Sequence, residues 1–261
     1  MIAALRYEWV RVSTVRSTRI SLVLAFLVVG LLAWAGSAPT YNEFGPDGPV
    51  GPPTVAWWDA FAQPLLLAAI FAAVVASQNI GQEYRFGLIR LTLTAFPQRS
   101  HVLTAKLVSV VATGLVFTAV SYAGSYAALL VRGYATPPPE SPPADATFLL
   151  RGAVFMVLWA LSAWALAGLT RQTAIGIAVP VVSGFIVEQI LGGVLADKAP
   201  WLQDILPWST STRWFVTSSA FGGDDPTVHV PPVGWAALGV FGVWVLVLVV
   251  LEIVAFVRRD A

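Results

Sequence analysis

Six long apolar runs constrain the fold of this chain more than any other feature. They cover approximately residues 20–37, 60–80, 102–131, 148–169, 173–196 and 233–257. Each is close to or above the roughly 20 residues that a helix needs to cross a bilayer. Inside lipid each run must be helical, because every backbone N–H and C=O needs a partner within its own segment. The sequence therefore predicts an all-α membrane protein with six transmembrane helices, forming a single transmembrane domain over residues 1–261.

The composition supports lipid as the solvent. The chain is 57% hydrophobic and only 11% charged, whereas a soluble domain carries about 25% charged residues. It contains no cysteine, which excludes disulfides, thiolate metal sites and cysteine nucleophiles.

The N-terminal segment, residues 1–19, precedes the first run. Its apolar residues Ile2, Leu5, Trp9 and Val12 recur at helical spacing, which predicts an amphipathic helix in the headgroup region. A cleaved signal peptide is the alternative, because residues 35–38 resemble a cleavage site. The long basic region and the five further apolar runs favour a retained helix.

A polar and basic segment, residues 81–106, separates the second and third runs. It carries the basic residues Arg85, Arg90, Arg99 and Lys106 and one acid, Glu83. Residues 88–93 predict a short amphipathic helix, which a proline at position 97 ends. This helix could transmit a push from a cytoplasmic partner, or the segment could be a basic loop that contacts anionic lipid headgroups. Composition leaves both interpretations open.

The distribution of basic residues predicts the orientation in the membrane. One predicted side holds eleven: Arg6, Arg11, Arg16, Arg19, Arg85, Arg90, Arg99, Lys106, Arg171, Arg258 and Arg259. The other holds four: Arg132, Arg151, Lys198 and Arg213. We therefore expect both termini to lie in the cytoplasm. On the outer side, residues 197–232 contain apolar stretches too short to span, which predict a re-entrant or interfacial helical hairpin before the sixth helix.

The chain lacks the motifs of an enzyme with its own nucleotide site. A phosphate-binding loop needs Gly-Lys followed by Ser or Thr, but Lys106 follows alanine and Lys198 follows aspartate. The two histidines, His101 and His229, are predicted on opposite sides of the membrane, so they cannot share a metal or a catalytic triad. If ATP drives this protein, a separate chain binds it.

Two acids lie within the apolar runs. Glu188 is in the fifth run, where a lone acid is expensive and therefore a functional candidate. It could bind a cation, attract a cationic substrate or join two copies by a hydrogen bond, or it could lie near enough to the outer interface to reach water. Glu252 is close to Arg258 and Arg259, and we expect it to reach the headgroups.

The order of three motifs resembles the ABC-2 type permease family of ATP-driven exporters. The motifs are Arg6-Tyr7-Glu8-Trp9, Gly81-Gln82-Glu83-Tyr84-Arg85-Phe86-Gly87-Leu88-Ile89-Arg90, and Pro97-Gln98-Arg99 followed by Ala105-Lys106. With the six spans, the resemblance extends over the whole chain. One departure is Leu88-Ile89, where many members of that family have Gly-Thr.

The resemblance implies a permease half without an ATPase site, paired as a homodimer, with a separate cytoplasmic ATPase that binds ATP and Mg. Residues 1–19 would be the connecting helix and residues 88–96 the coupling helix. The implied ATPase-coupling residues are Glu83, Tyr84, Arg85, Phe86, Gly87, Leu88, Arg90 and Arg99.

The cargo would be an amphipathic or hydrophobic compound such as a drug, an antibiotic or a lipid. The aromatic side chains of Phe155, Trp159, Trp164 and Phe185 suggest a surface for it. The alternatives are a secondary transporter, a membrane-embedded lipid-handling enzyme, or an anchor that only recruits a cytoplasmic protein.

Overall fold

The computed structural model describes residues 2–36, 43–45, 48–50, 58–96, 98–134, 146–195, 198–216 and 229–258. In this part of the chain the helices are α1 (Ile2–Thr14), α2 (Arg16–Gly36), α3 (Gln63–Arg85), α4 (Leu88–Ala95), α5 (Arg99–Arg132), α6 (Ala146–Thr170), α7 (Thr173–Val182), α8 (Glu188–Leu195), α9 (Leu202–Ile205), α10 (Pro207–Ser211) and α11 (Gly234–Arg258). Two strands, β1 (Glu43–Gly45) and β2 (Gly48–Val50), form an antiparallel pair.

The predicted all-α membrane fold is confirmed. Six helical segments of the described chain are long and apolar enough to cross a bilayer: α2, α3, α5, α6, the α7–α8 segment and α11. The α5 helix has 34 residues, which at about 1.5 Å per residue gives roughly 51 Å. This exceeds the roughly 30 Å of a hydrocarbon core, so α5 extends beyond it.

Two boundaries differ from the sequence-based expectation. The first helix ends at Thr14, and α2 begins at Arg16. Arg16 and Arg19 therefore belong to the first spanning helix, and not to the amphipathic helix predicted over residues 1–19. The described part of the loop between α2 and α3 contains the short β1–β2 pair.

The α3 helix forms the centre of the bundle, where it packs against α2, α5, α6 and α7. Its buried face consists largely of alanine: Ala68, Ala69, Ala72, Ala73 and Ala76. Small side chains let neighbouring helix backbones approach closely inside a membrane, where the hydrophobic effect does not drive helices together. This explains how one helix can contact four others.

The second and fifth spans each combine a proline with a π-helical turn. Pro64 lies in the first turn of α3, directly after the π-helical turn Trp58–Ala62. Pro180 lies inside α7 and is followed by a wider, π-helical turn at Ser183–Val187. A π-helical turn is a common adjustment where the regular hydrogen-bond ladder is interrupted. The fifth span is therefore a continuous helix with one π-helical turn, and Glu188 comes directly after that turn.

The two ends of the bundle carry different short elements. At one end, which we name the α4 end, Arg99 Nη1 donates to the carbonyl of Val257 at 3.1 Å, and the rings of Tyr7 and Phe96 lie 6.1 Å apart. The α4 end thus contains α1, α4 and the last turn of α11. At the opposite, α10 end, the N–H of Gly234 donates to the carbonyl of Arg213. The depth of α9 and α10 in a bilayer is not defined, so the re-entrant segment stays a prediction.

Candidate functional site at the α4 end

Four charged side chains from three helices meet at the α4 end. We call this group the ion cluster: Glu8 and Arg11 from α1, Glu83 from α3 and Lys106 from α5. Glu8 and Arg11 are three residues apart, which places them on the same face of α1. Glu83 lies in the last turn of α3, and Lys106 lies in the first part of α5.

Each cation of the ion cluster contacts both acids. Lys106 Nζ lies 2.8 Å from Glu8 Oε1 and 2.6 Å from Glu83 Oε1. The guanidinium of Arg11 lies 2.8 Å from Glu8 Oε2 and 2.5 Å from Glu83 Oε1. Two positive and two negative groups therefore form a closed ring without net charge.

The ion cluster is buried. The side chains of Lys106, Glu83 and Glu8 are 0%, 1% and 2% exposed, and that of Arg11 is 20% exposed. Asn79 on α3 also belongs to this network. Its side-chain Nδ2 donates to Glu8, and its backbone carbonyl accepts from Arg11 and Lys106. Buried charges are tolerated only when they are paired and hydrogen-bonded. The ion cluster therefore joins α1, α3 and α5 at one point.

The α4 helix projects beside this cluster. It begins after Gly87, whose φ of 66° is in the left-handed region that glycine adopts without strain. The side chains of Ile89 and Thr92 are buried. We call its outward residues, together with the preceding turn, the α4 surface: Arg85, Phe86, Leu88, Arg90 and Leu91. Phe86 is 64% and Leu91 is 67% exposed. Large apolar side chains flanked by arginines are typical of a protein-binding surface.

The predicted coupling residues separate into two groups. Arg85, Phe86, Gly87, Leu88 and Arg90 are exposed. The other three contact residues of the same chain. Glu83 belongs to the ion cluster, and the guanidinium of Arg171 lies 5.4 Å from the centre of the Tyr84 ring. Arg99 donates a hydrogen bond to the carbonyl of Val257.

Glu83 and Lys106 were expected on a segment that faces a soluble partner. In the structure both side chains are buried, so neither can contact a docked protein in this conformation. Sequence analysis missed the roles of Glu8, Arg11 and Asn79. Two features of the sequence could have indicated them. Residues 6–11 carry charges of both signs just before the first span, and Glu83 and Lys106 lie near the two ends of the polar segment 81–106.

A second polar region lies at the α10 end. Glu188 is only 5% exposed and accepts a 2.7 Å hydrogen bond from the backbone N–H of Ser209. It lines a cavity of ≈ 460 Å³ together with Leu66, Arg213 and Phe215. Burial lowers the pKa of Arg213, and the negative charges of Asp204 and Glu188 oppose this shift. Glu188 therefore faces a polar cavity and fixes the position of α10.

Two expectations about buried residues were wrong. Glu252 was expected to reach the headgroups, but it is fully buried, with its carboxylate close to Gly168. Phe155, Trp159 and Trp164 were expected to offer a cargo surface, but all three are fully buried. These aromatic rings pack against neighbouring helices and cannot contact a transported compound.

The fold and site define a class of protein. The chain is a multi-pass α-helical membrane protein with a short amphipathic helix presented between its second and third spans. Among the described residues, no group of three or more His, Cys, Asp or Glu side chains could hold a metal.

The chain belongs to the ABC-2 family transporter proteins, whose family model matches residues 58–261. A comparison with curated proteins gave no match. The matched region contains α3 to α11, and therefore Glu83, the α4 surface and Lys106. The family is that of the membrane permeases of ABC transporters, which associate with an ABC ATPase subunit.

Proposed function

We propose that this chain is the permease subunit of an ATP-driven exporter, and that two copies pair in the cytoplasmic membrane. Both termini lie in the cytoplasm, and a separate ATPase subunit binds ATP and Mg. The observation that carries this proposal is the α4 surface, which presents Phe86, Leu91 and two arginines at the end of the bundle that also holds α1 and the end of α11.

The connections of α4 support a role in coupling. Two residues, Phe86 and Gly87, join it to α3, and residues 96–98 join it to α5. Short connections leave little freedom, so a push on the α4 surface moves the ends of both spanning helices. The ion cluster links those same two ends to α1. A movement of the ATPase is thereby transmitted to three helices together.

The orientation rests on charge. The sequence predicts eleven basic residues on the side of the membrane that would include the α4 end, against four on the other side. Basic loops are retained in the cytoplasm, which is where an ATPase has access to ATP. We therefore propose that the α4 surface faces the partner subunit.

The proposed cargo is an amphipathic or hydrophobic compound, and the direction is outward. The cavity at the α10 end has a mixed lining of this kind, with Leu66 and Phe215 beside Glu188. Its volume of ≈ 460 Å³ lies in the range of roughly 300–1,000 Å³ typical of small-molecule sites.

The experiment compares Leu91→Asp with the matched control Val131→Asp. Both residues are exposed, but Val131 lies in the last turn of α5, at the α10 end. A tagged chain is purified from its native membranes, and the co-purified ATPase, its ATP hydrolysis and transport are measured. We expect Leu91→Asp to remove the ATPase at unchanged thermal stability, and Val131→Asp to retain it. Full ATPase recovery and transport with Leu91→Asp would refute the α4 surface as the docking site.

A further inference from the structure

A narrow apolar groove lies on the outside of the bundle, between α1, α2 and α5. Its wall on α1 consists of Leu5, Trp9 and Val12, and its floor on α5 consists of Val108, Ala112 and Val116. Both sets recur at intervals of three or four residues, so each forms one stripe along its helix. The groove therefore runs along α5 for about 12 Å.

Two of the polar side chains beside this groove, Ser109 and Thr113, are already hydrogen-bonded. The hydroxyl of Thr113 donates to the carbonyl of Ser109 at 2.8 Å, and the hydroxyl of Ser109 accepts from Asn79 at 3.3 Å. The groove thus presents mostly carbon. Trp9 and Val108 at its edge are exposed, which leaves the groove open on the side that faces away from the bundle.

The size of the groove selects its occupant. Its volume is ≈ 170 Å³, below the roughly 300–1,000 Å³ of a site for a drug-sized compound. This volume suits part of a single acyl chain better than a drug-sized compound.

The charge at the start of α2 selects the headgroup. The first two helices carry Arg6, Arg11, Arg16 and Arg19 against a single acid, Glu8. Arg19 is exposed, and its Nε donates to the carbonyl of Ser13, which lines the groove. A guanidinium has five N–H donors, so Arg19 can also hold a phosphate at this position. A second copy of the chain would bring the same arginines against these ones, which disfavours it as the occupant.

We propose that this groove binds one anionic phospholipid from the surrounding bilayer, with an acyl chain between α1 and α5 and its phosphate on Arg19. From Thr18 to Leu22 and from Val108 to Val116, α2 and α5 both run away from the α4 end, so the chain follows them into the hydrocarbon. The adjacent face of α1, about a quarter turn from this stripe, carries Glu8 and Arg11. The bound lipid thus holds α1 in the position that forms the ion cluster, independently of any ATPase.

The test uses the purified full-length chain and two probes, phosphatidylglycerol and phosphatidylethanolamine, with native mass spectrometry to count bound lipids. We expect one retained phosphatidylglycerol per chain and a clear preference over phosphatidylethanolamine. Ala112→Trp fills the groove and abolishes the retained lipid, whereas Val243→Trp, at an exposed position on α11, does not. Arg19→Gln lowers the preference about fivefold, while Arg258→Gln leaves it unchanged.

Other outcomes overturn the proposal. If the wild type retains the two lipids equally, the proposed preference for an anionic headgroup is wrong. Loss of lipid with Arg19→Gln but full retention with Ala112→Trp places the lipid on the surface and not in the groove. Loss of dimers with Ala112→Trp assigns the groove to a second copy. Should Ala112→Trp not fold, Ala112→Leu provides a smaller obstruction, with thermal unfolding as the check in each case.

Discussion

At the scale of single residues, Lys106 carries a charge that is completely removed from solvent. It is the cation of the ion cluster that is fully buried, and both of its carboxylate partners are also buried. Truncating it leaves Glu8 and Glu83 close together with only Arg11 to neutralise them. Removing one partner of a buried ion pair costs about 3–5 kcal/mol, because the remaining charge stays buried.

We therefore expect Lys106→Met to lower the free energy of unfolding by several kcal/mol, measured by chemical denaturation in detergent micelles. Arg90→Met is the matched control, since Arg90 is exposed on α4, and it should leave stability unchanged. The double variant Glu83→Gln with Lys106→Met should recover part of the loss, because one unpaired acid is removed. Equal stability of Lys106→Met and the wild type would show that the ion cluster contributes nothing to the fold.

The ion cluster also shows where sequence analysis reached its limit. Its members stand at positions 8, 11, 83 and 106, and no local pattern connects residues so far apart. Hydropathy located the spans because each span is one continuous segment. Which side of α1 faces the bundle depends on how helices pack, so the contact between Glu8 and Lys106 could not be predicted from the sequence.

At the scale of elements, the contact between α2 and α5 depends on glycine. A Cβ added to Gly124 would lie 2.7 Å from the carbonyl oxygen of Phe26, and one added to Gly30 would lie 3.2 Å from the carbonyl oxygen of Gly124. Because both obstacles are backbone atoms, they cannot rotate away. The two helices therefore approach each other as only small residues allow.

Gly124→Val should separate α2 from α5 and destabilise the fold by about 1–3 kcal/mol, the usual cost of overpacking. Gly239→Ala on α11 is the control, because the position of its added Cβ is open. Thermal unfolding in detergent should show a lower midpoint for Gly124→Val only. A similar decrease for both variants would mean that loss of glycine, and not the α2–α5 contact, is responsible.

Glycine is favoured at the start of α4 because of its backbone conformation, and not because a side chain would clash there. Gly87 has a φ of 66°, and nothing lies within 4 Å of an added Cβ. Gly87→Ala should therefore cost about 1–2 kcal/mol from the left-handed conformation alone, and Gly87→Asn should cost less. Gly193→Ala in α8, also without a near neighbour, is the control. If Gly87→Ala and Gly193→Ala unfold at the same temperature, the left-handed conformation at position 87 does not require glycine.

Element boundaries also differ in how far a short stretch of sequence predicts them. The six spans were predictable from hydropathy alone, and α4 from its short amphipathic pattern ended by a proline. The break between Thr14 and Arg16 was not predicted, because no proline or glycine marks it in the sequence. The π-helical turn after Pro180 was not predictable from the sequence, since the way a helix relaxes around proline depends on its neighbours.

At the scale of the whole molecule, the charge asymmetry and the position of α4 can be tested together, because the chain has no cysteine of its own. Leu91→Cys marks the α4 end and Lys198→Cys marks the exposed connection between α8 and α9. A membrane-impermeant maleimide should label Lys198→Cys in intact cells and Leu91→Cys only after permeabilisation. The reason is that the basic side of a multi-pass protein is retained in the cytoplasm. Labelling of Leu91→Cys in intact cells would place the α4 surface outside, where no ATPase could reach it, and the proposed coupling would then be impossible.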